Sequence, residues 1–186
     1  MNEKVNIKLG VSSSEMTYSD DQKHKRDLPL GILVCDILKK AGGADMALIN
    51  SGGIRDMLPK GDITLATVLK ILPFDNSIAT MELSGADIKA IFEFIAAKYG
   101  GISGYQFDSG VSVTLDLKAK KARDIKINGA ALDEKKLYRL STISYMAEGN
   151  QNGSVFFKNA KNLKDDGFYL RDAVIEHVKT NSPITA

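Results

Sequence analysis

From Leu28 onward, long apolar faces alternate with short turn-rich breaks, and the breaks divide the chain into a readable series of elements. Leu28 to Lys40 carries apolar residues on nearly every face and ends in Lys39-Lys40 before Ala41-Gly42-Gly43, which predicts a largely buried helix closed by cations and glycine. Met46 to Ile49 is a short apolar run that predicts a buried strand delivering Asn50 at its end. Thr64 to Leu72 is helical in pattern, whereas Ser77 to Leu83 alternates and predicts a strand. Ser84 and Asp87 form a variant capping box that introduces Ile88, Ile91, Phe92 and Ile95 at helical spacing. Tyr105 to Phe107, Gly110 to Leu117, Arg123 to Ile127 and Leu137 to Thr142 predict further strands. Phe168 to Thr180 predicts a closing amphipathic helix before Asn181-Ser182-Pro183.

Ahead of that series, Val5 to Leu9 alternates like a strand, and Ser12 to Lys25 is polar without a repeating apolar face, as in an ordered loop or linker remnant. Residues 1–27 are therefore an N-terminal strand and polar loop leading into the domain, and 28–186 its remainder. With 186 residues and 44% hydrophobic content the chain suffices for one well-buried core and is short for two. Nothing repeats at a period of 20 to 50 residues. The expected class is α+β, a mixed β-sheet with flanking helices.

Charge narrows the partners. A formal +2 from 25 basic and 23 acidic residues gives no basic field of the kind that holds nucleic acid, so nucleic acid is not an expected partner. The one basic run, Lys118 to Arg123, lies between two strand-like segments and reads as a solvated hairpin turn. Cys35 is the only cysteine, which excludes an intrachain disulfide and a thiolate metal cluster, and its apolar setting reads as a buried small hydrophobe. No run of 18 apolar residues predicts a membrane span, and Met1-Asn2-Glu3-Lys4 lacks the apolar core of a secretion signal.

The candidate chemistry is concentrated in Asn50-Ser51-Gly52-Gly53-Ile54-Arg55, then Gly61-Asp62-Ile63-Thr64, then Leu72-Pro73-Phe74-Asp75-Asn76. Gly52 and Gly53 let a ligand approach the main chain, and Arg55 offers a planar charged fork for phosphate or carboxylate. Phe74 follows a proline and precedes two small polar residues, which turns its ring toward a cleft where it could stack on a base. Taken singly, Asn-Ser-Gly-Gly is an ordinary turn and the phenylalanine an ordinary core residue; the combination and order carry the weight. No Gly-x-Ser-x-Gly elbow or Gly-x4-Gly-Lys-Ser/Thr loop is present. His24 and His177 are the only histidines, neither in a metal-ligand pair, and His177 reads as a surface or core-edge residue.

Together these motifs resemble the C-terminal domain of the 5'-nucleotidase and UDP-sugar hydrolase family. The similarity continues through Leu83 to Ile88, Gly110 to Leu117, Asn128-Gly129, Leu137 to Thr142 and the loop after Tyr145, covering roughly residues 5 to 180. The resemblance implies a substrate-binding role beside a separate N-terminal metallophosphoesterase domain, which carries the dimetal centre and the catalytic residues. No catalytic residue and no cofactor is then expected in this chain, divalent metals belonging only to that other domain. Its partners would be a nucleotide or nucleoside and the metallophosphoesterase domain, in cis or in trans. The resemblance also implies an extracytoplasmic location: periplasmic, cell-surface or secreted.

By the same resemblance, Phe74 and Tyr145 match the two rings that clamp the base and Arg55 a phosphate-binding arginine. Asn50 matches the motif asparagine lining the nucleoside pocket, next to Gly52 and Gly53, and Asn76 a base-contacting asparagine. Two departures stand out. The loop Glu148-Gly149-Asn150-Gln151-Asn152-Gly153 is one residue longer than the family's Gly-Gly-Asp-Gly, and Asn152 is the nearest stand-in for the ribose-binding aspartate. Where the family places a further phosphate arginine, the register favours His24, with Lys25 or Arg26 able to bring charge from one side. The alternative reading is a stand-alone nucleoside or small-metabolite binding module without catalysis. A third, a structural domain with a decayed cleft, would leave Phe74 and Tyr145 packed against protein.

Overall fold

A computed structural model describes residues 3–101 and 104–185. After a 3-10 turn at Glu3–Asn6, strand β1 (Lys8–Ser12) leads through an ordered loop into helix α1 (Pro29–Gly42). Pro29 starts α1 where its missing N–H is no loss, and Gly43 ends it in the left-handed region at φ 57°. Strand β2 (Met46–Asn50), a 3-10 turn at Ser51–Gly53 and strand β3 (Gly61–Thr64) follow, and then helix α2 (Leu65–Ile71) with a Thr64/Thr67 capping box.

Strand β4 (Ser77–Ser84) runs into helix α3 (Gly85–Lys98), where the expected Ser84/Asp87 capping box forms in both directions. Strands β5 (Tyr105–Phe107), β6 (Val111–Asp116), β7 (Lys121–Ile127), β8 (Ala130–Ala131) and β9 (Leu137–Ile143) come next. Two single-turn helices, α4 (Ser144–Ala147) and α5 (Gly153–Phe156), precede strand β10 (Lys161–Tyr169) and helix α6 (Leu170–Asn181).

The central sheet has the order β10-β4-β9-β2-β5 and is antiparallel except for the β2–β9 pair, so the fold is α+β with a mixed sheet and flanking helices. Strand β2 is buried along its whole length, as its unbroken apolar run requires. The β1–β3 pair and the β6-β7-β8 meander are separate small sheets, and Lys118–Lys120 form the tip of the β6–β7 hairpin. One apolar core joins Leu38, Leu48, Ile49, Ile88, Phe92 and Leu140 with Met16 and Tyr18.

Three expectations change. The first strand lies at Lys8–Ser12, later than the Val5–Leu9 alternation suggests, because its ladder with Gly61–Thr64 fixes the register. The polar Ser12–Lys25 segment is built into the fold, with Met16, Tyr18 and Lys23 buried. The last helix begins at Leu170, two residues beyond Phe168, because Phe168 and Tyr169 still belong to β10, an edge strand paired with β4.

Candidate functional site

Asn50, the last residue of β2, stands in register with Tyr105 on β5 and is only 6% exposed. Its side-chain Oδ1 is buried and has no hydrogen-bond partner among the described residues. A buried polar atom left unpaired costs about 1–3 kcal/mol, a cost that persists in folds where a ligand supplies the missing partner. The Ser51–Gly53 turn then carries the chain across the mouth of the strand. A Cβ on Gly52 would come within 3.4 Å of the Asn50 side-chain nitrogen, so a larger residue there would cover the amide.

Arg55 is exposed; its backbone N–H donates to the Ile71 carbonyl at 2.9 Å, while its guanidinium makes only a long 3.4 Å contact with the Gly52 carbonyl. Among the described residues it forms no ion pair, which leaves its charge available. Phe74 follows the end of α2 and is 50% exposed, and Tyr145 on α4 is 41% exposed. Asn76 is tied down by its carbonyl, which accepts from Leu170 N–H at 3.0 Å.

These residues meet in one cleft of about 530 Å³, lined by Asn50, Gly52, Gly53, Arg55, Phe74, Asn76, Tyr145 and His24 from the sequence reading, together with Asp20, Lys23 and Gln151. The two exposed rings therefore face open space, not a filled core. Asn152 is not among the lining residues. It sits in the left-handed region at φ 65° as the N-cap of α5, and its side-chain amide donates to the Tyr105 hydroxyl at 2.7 Å. Gln151, also left-handed at φ 47°, lines the cleft in its stead.

His24 accepts the Gly104 N–H on Nδ1 at 3.0 Å, which leaves Nε2 as the donor of the neutral ring. Burial of the ring, and next the charge of Lys23, hold the imidazole below its ordinary value. Lys23 is 5% exposed, pairs with the Asp20 carboxylate and lies 5.7 Å from the centre of the Tyr18 ring. Neither Lys25 nor Arg26 lines the cleft; the additional cation there is Lys23, inside the segment whose polarity reads as plain loop. Faint sequence signals for it were Met16 and Tyr18, two apolar residues spaced by two within a polar run. Among the described residues no three His, Cys, Asp or Glu side chains are grouped to hold a metal ion.

Two aromatic walls, a buried amide oxygen without a partner among the described residues and two cations suit a planar ring joined to an anion. Residues 8–159 match the family described as "5'-nucleotidase, C-terminal domain". The chain belongs to this family. Within the 5'-nucleotidase C-terminal domain family, it is similar to "Protein UshA" of Salmonella pullorum, 33% identical over 187 residues, which cover 98% of this chain and 33% of that protein. "Protein UshA" of Yersinia enterocolitica is 26% identical over 182 residues, 98% of this chain and 32% of its own length. The chain thus spans about a third of these relatives. The solved 5'-nucleotidase precursor of Thermus thermophilus superposes with a TM-score of 0.85 at 25% identity, over 95% of this chain and 37% of that one.

Proposed function

We propose that this domain is the substrate-binding half of a 5'-nucleotidase-like phosphoric ester hydrolase. Phe74 and Tyr145 clamp the base, Asn50 and Asn76 meet its polar edges, and Arg55 with Lys23 holds the phosphate. His24, neutral at pH 7, offers its Nε2–H to the same anion. The observation that carries this reading is the Asn50 Oδ1, buried at the cleft and without a partner among the described residues. Hydrolysis and its divalent metals belong to a metallophosphoesterase domain in cis or in trans, in line with relatives three times as long as this chain. A location outside the cytoplasm accompanies that assignment. Among the described residues no helix is long and apolar enough to cross a membrane.

The test is metal-free calorimetric titration with adenosine, AMP and UMP of the unaltered chain, Phe74→Ala and Arg55→Ala. Stacking contributes about 1–3 kcal/mol per ring, so Phe74→Ala should weaken every ligand by about five- to 150-fold. Arg55→Ala should weaken the nucleotides and spare adenosine. Absence of heat at millimolar ligand in the unaltered chain would overturn the reading.

One observation favours a second reading, a stand-alone binding module. The loop at residues 148–153 presents the neutral Gln151 to the cleft, while Asn152, the position matched by resemblance to the ribose-binding aspartate, does not line it. Nucleoside binding that no added metallophosphoesterase domain turns into hydrolysis would select it.

A further inference from the structure

Strand β5 places Gln106 between Tyr105 and Phe107, opposite Ile49 of β2, and its side chain has no exposed surface. An uncharged amide buried there must find partners for both ends. Its Oε1 accepts the Leu28 N–H at 2.8 Å, and because that backbone group can only donate, the contact fixes which end of the amide is oxygen. The Nε2 end, with two hydrogens, lies within donating distance of three acceptors: the Lys23 carbonyl at 2.9 Å, the Arg26 carbonyl at 3.1 Å and the Ser51 Oγ at 3.1 Å. Ser51 in turn donates its own proton to the Lys23 carbonyl at 2.6 Å. Tyr18 closes the circuit by donating to the Ser51 carbonyl at 2.9 Å.

Five of these six bonds reach the segment at residues 18–28, three from Gln106 on β5 and two from Ser51 in the turn beside Asn50, Gly52 and Gly53, and the sixth ties Gln106 to Ser51. None of Gln106, Ser51 and Tyr18 lines the cleft. Space for the amide is provided by Gly31, whose missing Cβ would stand 2.1 Å from Gln106 Oε1. A glycine inside a helix ordinarily lowers its stability by about 1 kcal/mol relative to alanine, so its presence in α1 is matched to this neighbour.

We propose that Gln106 is a positioning residue of the cleft, a buried latch that, through Ser51 and the Lys23 carbonyl, fixes Lys23 and His24 against the Asn50–Gly53 turn and so sets the anion-binding wall. The inference rests on the nucleotide-binding reading for its ligand, and on the hydrogen-bond circuit alone for the latch. Phe74 and Tyr145 sit on other elements, so the latch governs the phosphate end and leaves the base clamp alone.

Two variants test it in this chain. Gln106→Met keeps the side-chain length without the hydrogen bonds, and Ser51→Ala removes one relay oxygen with little change of volume, so that one of the pair folds even if the other is crippled. Hydrogen exchange of residues 19–27 should speed up by about tenfold in both variants while α3 keeps its protection. AMP binding should weaken by about three- to tenfold, with adenosine changed by less than about twofold. Unchanged exchange in residues 19–27 would overturn the latch. A loosened segment with undiminished AMP affinity would overturn its positioning role. If the unaltered chain binds no AMP, the functional reading fails separately, and exchange still decides whether the latch exists.

Discussion

The Asn152 side-chain amide donates to the Tyr105 hydroxyl at 2.7 Å, and that hydroxyl donates onward to the Gln151 carbonyl at 3.1 Å. Tyr105 thereby holds two successive left-handed residues, and the position matched to ribose recognition is used to shape its own loop. Asn152→Ala should lower stability by about 1–2 kcal/mol, combining a lost hydrogen bond with a left-handed alanine. Asn152→Gly should cost less, since glycine accepts that geometry freely. Gln151→Ala should leave stability within about 0.5 kcal/mol and weaken ligand binding instead. Urea unfolding and calorimetric titration separate the two; equal stability of Asn152→Ala and the unaltered chain would count against the assignment.

Lys23 and Asp20 should respond to substitution with opposite signs. Asp20 is exposed and competes with any bound anion for the Lys23 ammonium. Lys23→Met should weaken AMP and leave adenosine nearly unchanged, whereas Asp20→Asn should tighten AMP by a few-fold at low salt. That gain should shrink as ionic strength rises and the Debye length falls to about 8 Å. Weaker AMP binding in Asp20→Asn would show that Lys23 needs its partner more than the ligand does.

Acidification should expose the state of His24. Its folded-state pKa lies below its ordinary value near 6.5, first through burial and then through Lys23. As pH falls through that value the unfolded chain takes up the proton before the folded one, so stability is full above it and is lost below. A protonated Nδ1 would also confront the Gly104 N–H that it now accepts. His177 is shifted downward as well, by burial and by Lys40, and adds to the same slope. The loss of stability between pH 7 and pH 5 should therefore be smaller in His24→Gln. An identical slope in that variant would refute the contribution of His24.

Gly31→Ala, a change that stabilises most helix interiors, should destabilise this one by about 1–3 kcal/mol. The added methyl would fall 2.1 Å from Gln106 Oε1 and displace it. A raised melting temperature would mean that the amide moves aside at no cost.

Periodicity made most of the fold legible. The runs that became α1, α3, β2 and β4 each bury a face, and burial writes a pattern into the sequence. Strand β10 was hidden because all nine of its residues are exposed, so Lys161, Lys164, Asp165 and Asp166 show no alternation. Charges and register shifts along an edge protect it from pairing with other chains and erase its signature together. At the site, Asn50 to Arg55 and Leu72 to Asn76 are contiguous, so their joint meaning survives in the order of residues. Lys23, Asp20 and Gln151 acquire theirs only when distant segments meet in the cleft. Gln106 reads in the sequence as the ordinary polar position of an alternating strand, because its partners lie 55 to 83 positions away.

Cys35 has no exposed surface, and its thiol donates to the Gln106 carbonyl at 3.3 Å where α1 covers β5. Burial raises it well above an ordinary thiol, so a thiol reagent reaches a reactive sulfur only when that helix lifts from the sheet. With no second cysteine to confuse the signal, the labelling rate is a clock for this single opening event. Read with and without nucleotide, the same clock reports whether filling the cleft slows the breathing of the core beneath it.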